Sequence, residues 1–216
     1  MVSVYDIKPA FQGFLRPLVK WLARCGVTAN QVTIAAMLLS FGAGAWLAVD
    51  RGTGSTLPDF VLSQEDSIPR VLLMIPFVLF VRMALNAIDG MLAREHDMKS
   101  RLGAILNEMG DVVSDAALYL PLAWISGFDP LAIVLLVLFG VIVEMAGVVS
   151  VQIGSSRRYD GPMGKSDRAF ILGGLSLLLG LGVSGGGWVG YVLWGIVLLE
   201  IVTIFQRSRK GLAECK

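Results

Sequence analysis

Six apolar runs, near 31–49, 69–93, 103–125, 131–153, 169–184 and 187–206, divide the chain, each bounded by charged or turn residues. A helix of about 20 apolar residues matches the hydrocarbon thickness of a bilayer, so these runs predict six transmembrane helices. Composition agrees: 55% of the 216 residues are apolar and 16% charged, against about 25% charged in soluble domains. A water-soluble globule is excluded.

The cations are sorted along the chain. Lys8, Arg16, Lys20 and Arg24 precede the first run, and Arg94, Lys99 and Arg101 lie between the second and third. Arg157, Arg158, Lys165 and Arg168 lie between the fourth and fifth, and Arg207, Arg209, Lys210 and Lys216 follow the sixth. Fifteen of eighteen basic residues therefore fall on one side. The positive-inside rule makes that side cytoplasmic, with both termini on it, in a multi-pass protein of the inner (plasma) membrane. The opposite side keeps Arg51 and Arg70 beside Asp50, Asp59, Glu65 and Asp66.

Residues 1–29 carry Ile7, Phe11, Phe14, Leu15, Leu18 and Leu22 at roughly helical spacing among cations, which predicts an amphipathic helix lying in the membrane interface. The expected organisation is one all-α membrane domain over 1–216, with the interfacial helix at 1–29, the six-helix bundle at 31–206 and a cytoplasmic tail at 207–216. Thr28 or Asn30 can cap the first span, Asp129-Pro130 opens the fourth, and Gly185-Gly186-Gly187 turns between the last two. A net charge of +1 gives no basic field for nucleic acid. Cys25 and Cys215 form no disulfide framework and no metal spacing.

Acidic groups at membrane depth cost several kcal/mol and ask for a reason. Asn86 and Asp89 are three apart on the second span, and Asn107, Asp111 and Asp115 are spaced by four on the third, so each set shares a helix face. The short connection between the two helices makes them antiparallel neighbours whose oxygen-bearing faces converge near the cytoplasmic surface. Such oxygens suit a hard cation, Mg²⁺ or Mn²⁺, and through it a phosphate-bearing substrate. Gly90, Ala93 and Gly103 permit close approach, and Arg94 adds a fixed cation. Arg82, about a turn above Asn86, is expected in a buried salt bridge to Asp115 or Glu144, or with Arg94 as a neutralising partner of Asp89 and Asp111, and Glu144 and Glu200 are polar partners inside the bundle.

The stretch Asn86-Ala-Ile-Asp89-Gly90-Met-Leu-Ala93-Arg94, eight residues, then Gly103-Ala-Ile-Leu-Asn107-Glu-Met-Gly-Asp111 resembles the signature of the CDP-alcohol phosphotransferase family. That signature reads DxxDGxxAR, eight residues, GxxxDxxxD. The resemblance implies transfer of a substituted phosphate from a CDP-alcohol to an acceptor hydroxyl, with release of CMP, in phospholipid biosynthesis. CDP-diacylglycerol is the expected donor, because the site lies at the lipid interface and the pattern is similar to that of bacterial members. The resemblance further implies metal ligation by positions 86, 89, 107 and 111, a general-base role for Asp111, and a nucleotide pocket lined by Gly90, Ala93, Arg94 and Gly103. It also implies a homodimer.

Two positions depart from the signature: Asn86 and Asn107 stand where aspartates belong, removing two negative charges from the expected metal site. Divalent ions held about 3.5–4 Å apart repel unless carboxylates lie between them, so weaker metal binding follows, with one resident ion and a second arriving with the substrate diphosphate. Asp115 is a compensating ligand in this reading. The alternative is a non-catalytic lipid- or nucleotide-binding membrane protein that keeps the fold. The loop cations Arg157, Arg158, Lys165 and Arg168 are expected to meet a phosphate on a lipid or on an anionic acceptor alcohol, whose identity is open.

Overall fold

The computed structural model describes residues 4–52 and 70–215. Seven α-helices follow one another: α1 (Val4–Arg24), α2 (Ala29–Gly52), α3 (Met74–Glu95), α4 (Arg101–Tyr119), α5 (Pro130–Val149), α6 (Lys165–Gly180) and α7 (Gly187–Glu214). There is no strand among the described residues. Single 3₁₀ turns precede α3 and extend α4 and α5. The cations Arg51 and Arg70 and the acids Asp50, Asp59, Glu65 and Asp66 fall outside the residues whose side chains are described.

Residues 29–49, 71–95, 130–153 and 187–214 are long and apolar enough to cross a bilayer, and large side chains such as Phe77, Phe80, Leu138 and Leu198 are exposed on them. The chain is a membrane protein. The other two expected spans do not meet that criterion for physical reasons. Helix α6 has 16 residues, about 24 Å at 1.5 Å per residue, short of a hydrocarbon core of about 30 Å. Helix α4 carries Arg101, Glu108, Asp111 and Asp115 within 19 residues.

Helix ends follow local chemistry. Thr28 caps α2: its Oγ1 accepts from Gln31 N at 3.3 Å while Gln31 Oε1 accepts from Thr28 N at 2.9 Å, a reciprocal capping box. Asn30 instead points its amide at Ser100, 3.5 Å away. Asp129 caps α5 by accepting from Leu131 N and Ala132 N, with Pro130 at the first helical position. Its other oxygen accepts from Trp194 Nε1 at 2.9 Å. The indole N–H foremost, with the helix amides, holds the Asp129 carboxyl below the usual carboxylate range. The residues expected to form a cytoplasmic tail continue α7 as helix through Glu214.

The chain divides into two compact units. Unit 1 comprises residues 1–42 and 77–114. Its core joins α1, α2 and α3 through Leu15, Val19, Val32, Ile88, Met91 and Leu92, and Phe11 meets Phe80 edge to face at 6.3 Å. Arg16 ties α1 to the end of α3 through a two-pronged pair with Glu95, at 3.0 and 3.2 Å. Helix α1 carries two apolar stripes rather than the single one its sequence suggests. Phe11, Leu15, Val19 and Leu22 face the core, and Phe14, Leu18 and Trp21 face outward.

Unit 2 comprises residues 43–76 and 115–216. Helices α2 and α4 touch here where Gly44 meets the Ala117 carbonyl so closely that a Cβ would collide with it, the small-residue contact that membrane helices favour. Gly180 of α6 packs on Leu73, 2.8 Å from where its Cβ would stand.

Unit 2 also holds a buried charged core. Arg168, 2% exposed, pairs with Asp115 at 3.2 Å, Glu200 at 3.5 Å and Glu144 at 3.8 Å. Glu144 also receives Arg157 at 3.3 Å and Arg207 at 3.4 Å, and Arg207 donates to the Val143 carbonyl at 2.7 Å. Three carboxylates meet three guanidinium groups, which is how charge is tolerated away from water.

Candidate active site

Within unit 1, α3 and α4 are joined by the turn 96–100, where Asp97 adopts a positive φ of 54°. Ser100 caps α4: its Oγ accepts from Gly103 N at 2.9 Å. Between α2, α3 and the start of α4 lies an open cleft of about 660 Å³, within the usual range for a small-molecule site. Asn86, Asp89, Gly90, Ala93, Arg94, Gly103 and Asn107 all line it. All the motif positions except Asp111 are therefore gathered on one surface.

Each lining feature has a local cause. A Cβ on Gly90 would stand 3.1 Å from both terminal nitrogens of Arg94. The bare glycine thus lets the guanidinium fold back over its own helix beside the cleft. At Gly103 a Cβ would come within 2.6 Å of Asn30 Oδ1 and 2.9 Å of Ser100 Oγ, so the glycine lets these polar side chains approach the helix start. The first turn of α4 opens on the cleft through Ser100, Arg101, Gly103 and Ala104, where unpaired amides and the helix dipole favour an anion.

Asp89 is 6% exposed. Its Oδ2 accepts from Thr33 Oγ1 of α2 at 2.9 Å, which fixes the carboxylate against the cleft wall. Asp111 does not line the cleft; it is linked to it by Asn86, whose Nδ2 donates to Asp111 Oδ1 at 3.3 Å. Arg82, 4% exposed, donates to the Asp111 carbonyl at 3.4 Å and stands 3.9 Å from Oδ1. Asp115 departs from the expected set. Its carboxylate serves Arg168 in the charged core of unit 2, because a fully buried guanidinium needs an anion at contact distance.

Among the described residues no group of three or more acidic, histidine or cysteine side chains is placed to hold a metal ion by itself. The cleft-lining side-chain oxygens are the Asp89 carboxylate, the carboxamides of Asn30, Asn86 and Asn107 and the hydroxyls of Thr33 and Ser100. That all-oxygen set, with one negative charge, fits a single hard divalent cation.

Sequence reasoning passed over Asn30, Thr33 and Ser100 as cleft residues, and it favoured Asp115 or Glu144 over Asp111 as the neighbour of Arg82. Thr33 carried a signal, a hydroxyl inside an apolar run that faces the next helix.

The loop cations do not stand as one phosphate cradle. Arg168 is buried among carboxylates, so the expectation that it faces the headgroups fails. Arg158 pairs with Asp160 at 2.7 Å and with Glu214. Arg157 stacks over Tyr159, 4.2 Å from its ring centroid, while pairing with Glu144. Asp160 also receives Lys210 at 2.7 Å. Lys210 first, and Arg158 with it, hold the Asp160 carboxyl below its ordinary range.

Residues 26–204 match the CDP-alcohol phosphatidyltransferase family. Inner membrane protein YnbA of Escherichia coli (strain K12) is 41% identical over 212 residues, covering 98% of this chain and 97% of that one. An uncharacterized protein of Aquifex aeolicus (strain VF5) is 30% identical over 209 residues, covering 93% and 90%. Among solved structures, Mycobacterium tuberculosis phosphatidylinositol phosphate synthase in complex with manganese and citrate superposes with a TM-score of 0.71 at 20% identity, covering 91% of this chain and 88% of that one. The same enzyme with CDP-DAG bound gives 0.70 at 19% identity, covering 92% of each chain. At that identity the likeness establishes a shared fold. On the match that spans 26–204, the chain belongs to the CDP-alcohol phosphatidyltransferase family.

Proposed function

We propose that this chain transfers a phosphatidyl group from CDP-diacylglycerol to the hydroxyl of an acceptor alcohol, releasing CMP, in phospholipid biosynthesis at the inner membrane. The observation that carries the reading is the cleft itself: seven positions of the family signature line one open cleft at the start of a helix. The synthase of like fold binds CDP-DAG, which supports the same donor here. In this reading α2 to α7 are all membrane-spanning, the short α6 by local thinning of the bilayer, both termini are cytoplasmic, and the outward stripe of Phe14, Leu18 and Trp21 seats α1 in the interface. The protein acts as a homodimer.

The diphosphate lies over Gly90, Ala93 and Gly103, where the wall lacks side chains, with Arg94 and the α4 amides on its oxygens. Asp89, with Asn86 and Asn107 offering neutral oxygens, would hold one Mg²⁺ or Mn²⁺, which would supply positive charge against the diphosphate and the departing CMP. Asp111 takes the proton of the acceptor hydroxyl as its oxygen attacks the β-phosphorus. Thr33 keeps Asp89 in place, and Asn86 keeps Asp111 in place. Arg157 and Arg158, each about one-fifth exposed, and half-buried Lys165 are the loop cations offered to an acceptor or lipid phosphate; Arg168 is committed elsewhere.

The missing charges at Asn86 and Asn107 favour a second reading, a protein that binds CDP-lipid without turning it over. One experiment separates them. Purified protein is incubated with CDP-diacylglycerol, Mn²⁺ and serine, glycerol phosphate or inositol phosphate, and CMP and the lipid product are measured. CMP together with one new phospholipid supports transfer; bound donor without CMP for every acceptor supports the non-catalytic reading.

A further inference from the structure

Asn86 and Asn107 leave the Asp111 side of the site short of the acids that would hold a cation there, and the structure supplies something else in its place. Asn86 donates its Nδ2 to Asp111 Oδ1 at 3.3 Å. The orientation follows from chemistry, because an ionised carboxylate only accepts and the amide must turn its N–H toward it. The Arg82 guanidinium stands 3.9 Å from the same oxygen and donates to the Asp111 carbonyl at 3.4 Å. Two consecutive turns of α3 therefore face Asp111 with an N–H and a full positive charge, the environment that a bound cation would otherwise give it.

A divalent ion on that oxygen would have to displace the Asn86 amide and stand beside a guanidinium that is 4% exposed. Repulsion between like charges away from water is several-fold stronger than in bulk solvent. The other end of the oxygen set differs. Asp89, Asn86 and Asn107 line the cleft, and Asp111 does not.

We infer that Asn86 and Arg82 are positioning residues that stand in for a second metal ion at Asp111, so that this chain works with a single divalent cation, held on the Asp89 side of the cleft. The inference rests on the phosphatidyl-transfer reading for what the cation does; the number of cations can be measured without turnover.

The test titrates the purified full-length protein in detergent with Mn²⁺ alone and counts bound ions from the paramagnetic resonance of free Mn²⁺. One Mn²⁺ per chain is expected for the wild type and two for N86D/N107D, which replaces the N–H donor by a carboxylate. N86D alone carries the same expectation should the double variant fail to fold. A wild-type count of two or of zero, or a count that stays at one in both variants, overturns the inference. A second arm uses R82M: CMP release drops about tenfold or more while one Mn²⁺ stays bound, and R82K restores part of the rate. Loss of the Mn²⁺ from R82M, or CMP release at the wild-type rate, also overturns it. If no CMP forms with any acceptor while one Mn²⁺ is bound, the phosphatidyl-transfer reading fails and the count stands.

Discussion

In unit 1, Asp89 and Asp111 stand among carboxamides and a hydroxyl at and beside an open cleft, with Arg82 3.9 Å from Asp111, whereas in unit 2 Asp115, Glu144 and Glu200 are closed in with Arg157, Arg168 and Arg207 at 3.2–3.5 Å. The two sets share residue types and helical spacing; Asp111 and Asp115 are one turn apart on α4. Their surroundings separate them. Where each acid meets a guanidinium at contact distance and water is excluded, charge serves architecture. Where oxygens line an accessible cleft beside a helix start and a folded-back arginine, charge is available to a ligand. Variants on each side should fail in different ways, and that is how the contrast can be broken.

The largest effect is expected on the cleft. Asp89→Ala removes the buried carboxylate held by Thr33 and should lower CMP release by about 10²–10⁴-fold with the melting temperature nearly unchanged. A large drop in melting instead would move Asp89 into the structural class. Next comes Arg168→Met, which leaves Asp115 and Glu200 buried without their cation. Breaking such a pair costs about 3–5 kcal/mol, read as a lower melting temperature with CMP release per folded molecule retained. Unchanged melting with a raised acceptor KM would return Arg168 to the substrate site.

Gly44→Val should cost about 1–3 kcal/mol by forcing α2 away from the Ala117 carbonyl, seen in melting alone. Thr33→Val, which keeps shape and removes the hydrogen bond to Asp89, should cost about 1 kcal/mol, roughly fivefold in CMP release.

The smallest effect concerns the loop clasp of Asp160 with Lys210 and Arg158. A carboxyl whose folded pKa is depressed stabilises the fold above its unfolded value, about 3.9 for aspartate. The contribution is lost as pH falls through the lower, folded value. Loop proteolysis should therefore rise on acidification below about pH 4 in the wild type, and this rise should be muted in Lys210→Met.

Much of the fold was legible in the sequence because its causes are local. Apolar run length set helices α2 to α7 and amphipathic spacing set α1, the Thr28 and Gln31 pair set the start of α2, and Asp129-Pro130 set the start of α5. The cleft was legible at the motif positions for the same reason, since three- and four-residue spacing puts them on one face. The partners of Arg168 were not legible, because Asp115, Glu144 and Glu200 come from three other helices and only packing selects among them. Nor was the second stripe of α1, since Phe14 and Leu15 are adjacent in sequence and face opposite ways. Thr33 was hidden among apolar neighbours, where a threonine more often bonds its own helix, as this one also does to the Ala29 carbonyl.

The most direct test of the cleft as the site of transfer is CMP release from CDP-diacylglycerol by the purified wild type and by Asp111→Ala, with Mn²⁺ and the acceptor that gives product. Robust release by the wild type and its loss in a variant that remains folded and monodisperse is the predicted result. Release by Asp111→Ala at the wild-type rate would contradict it.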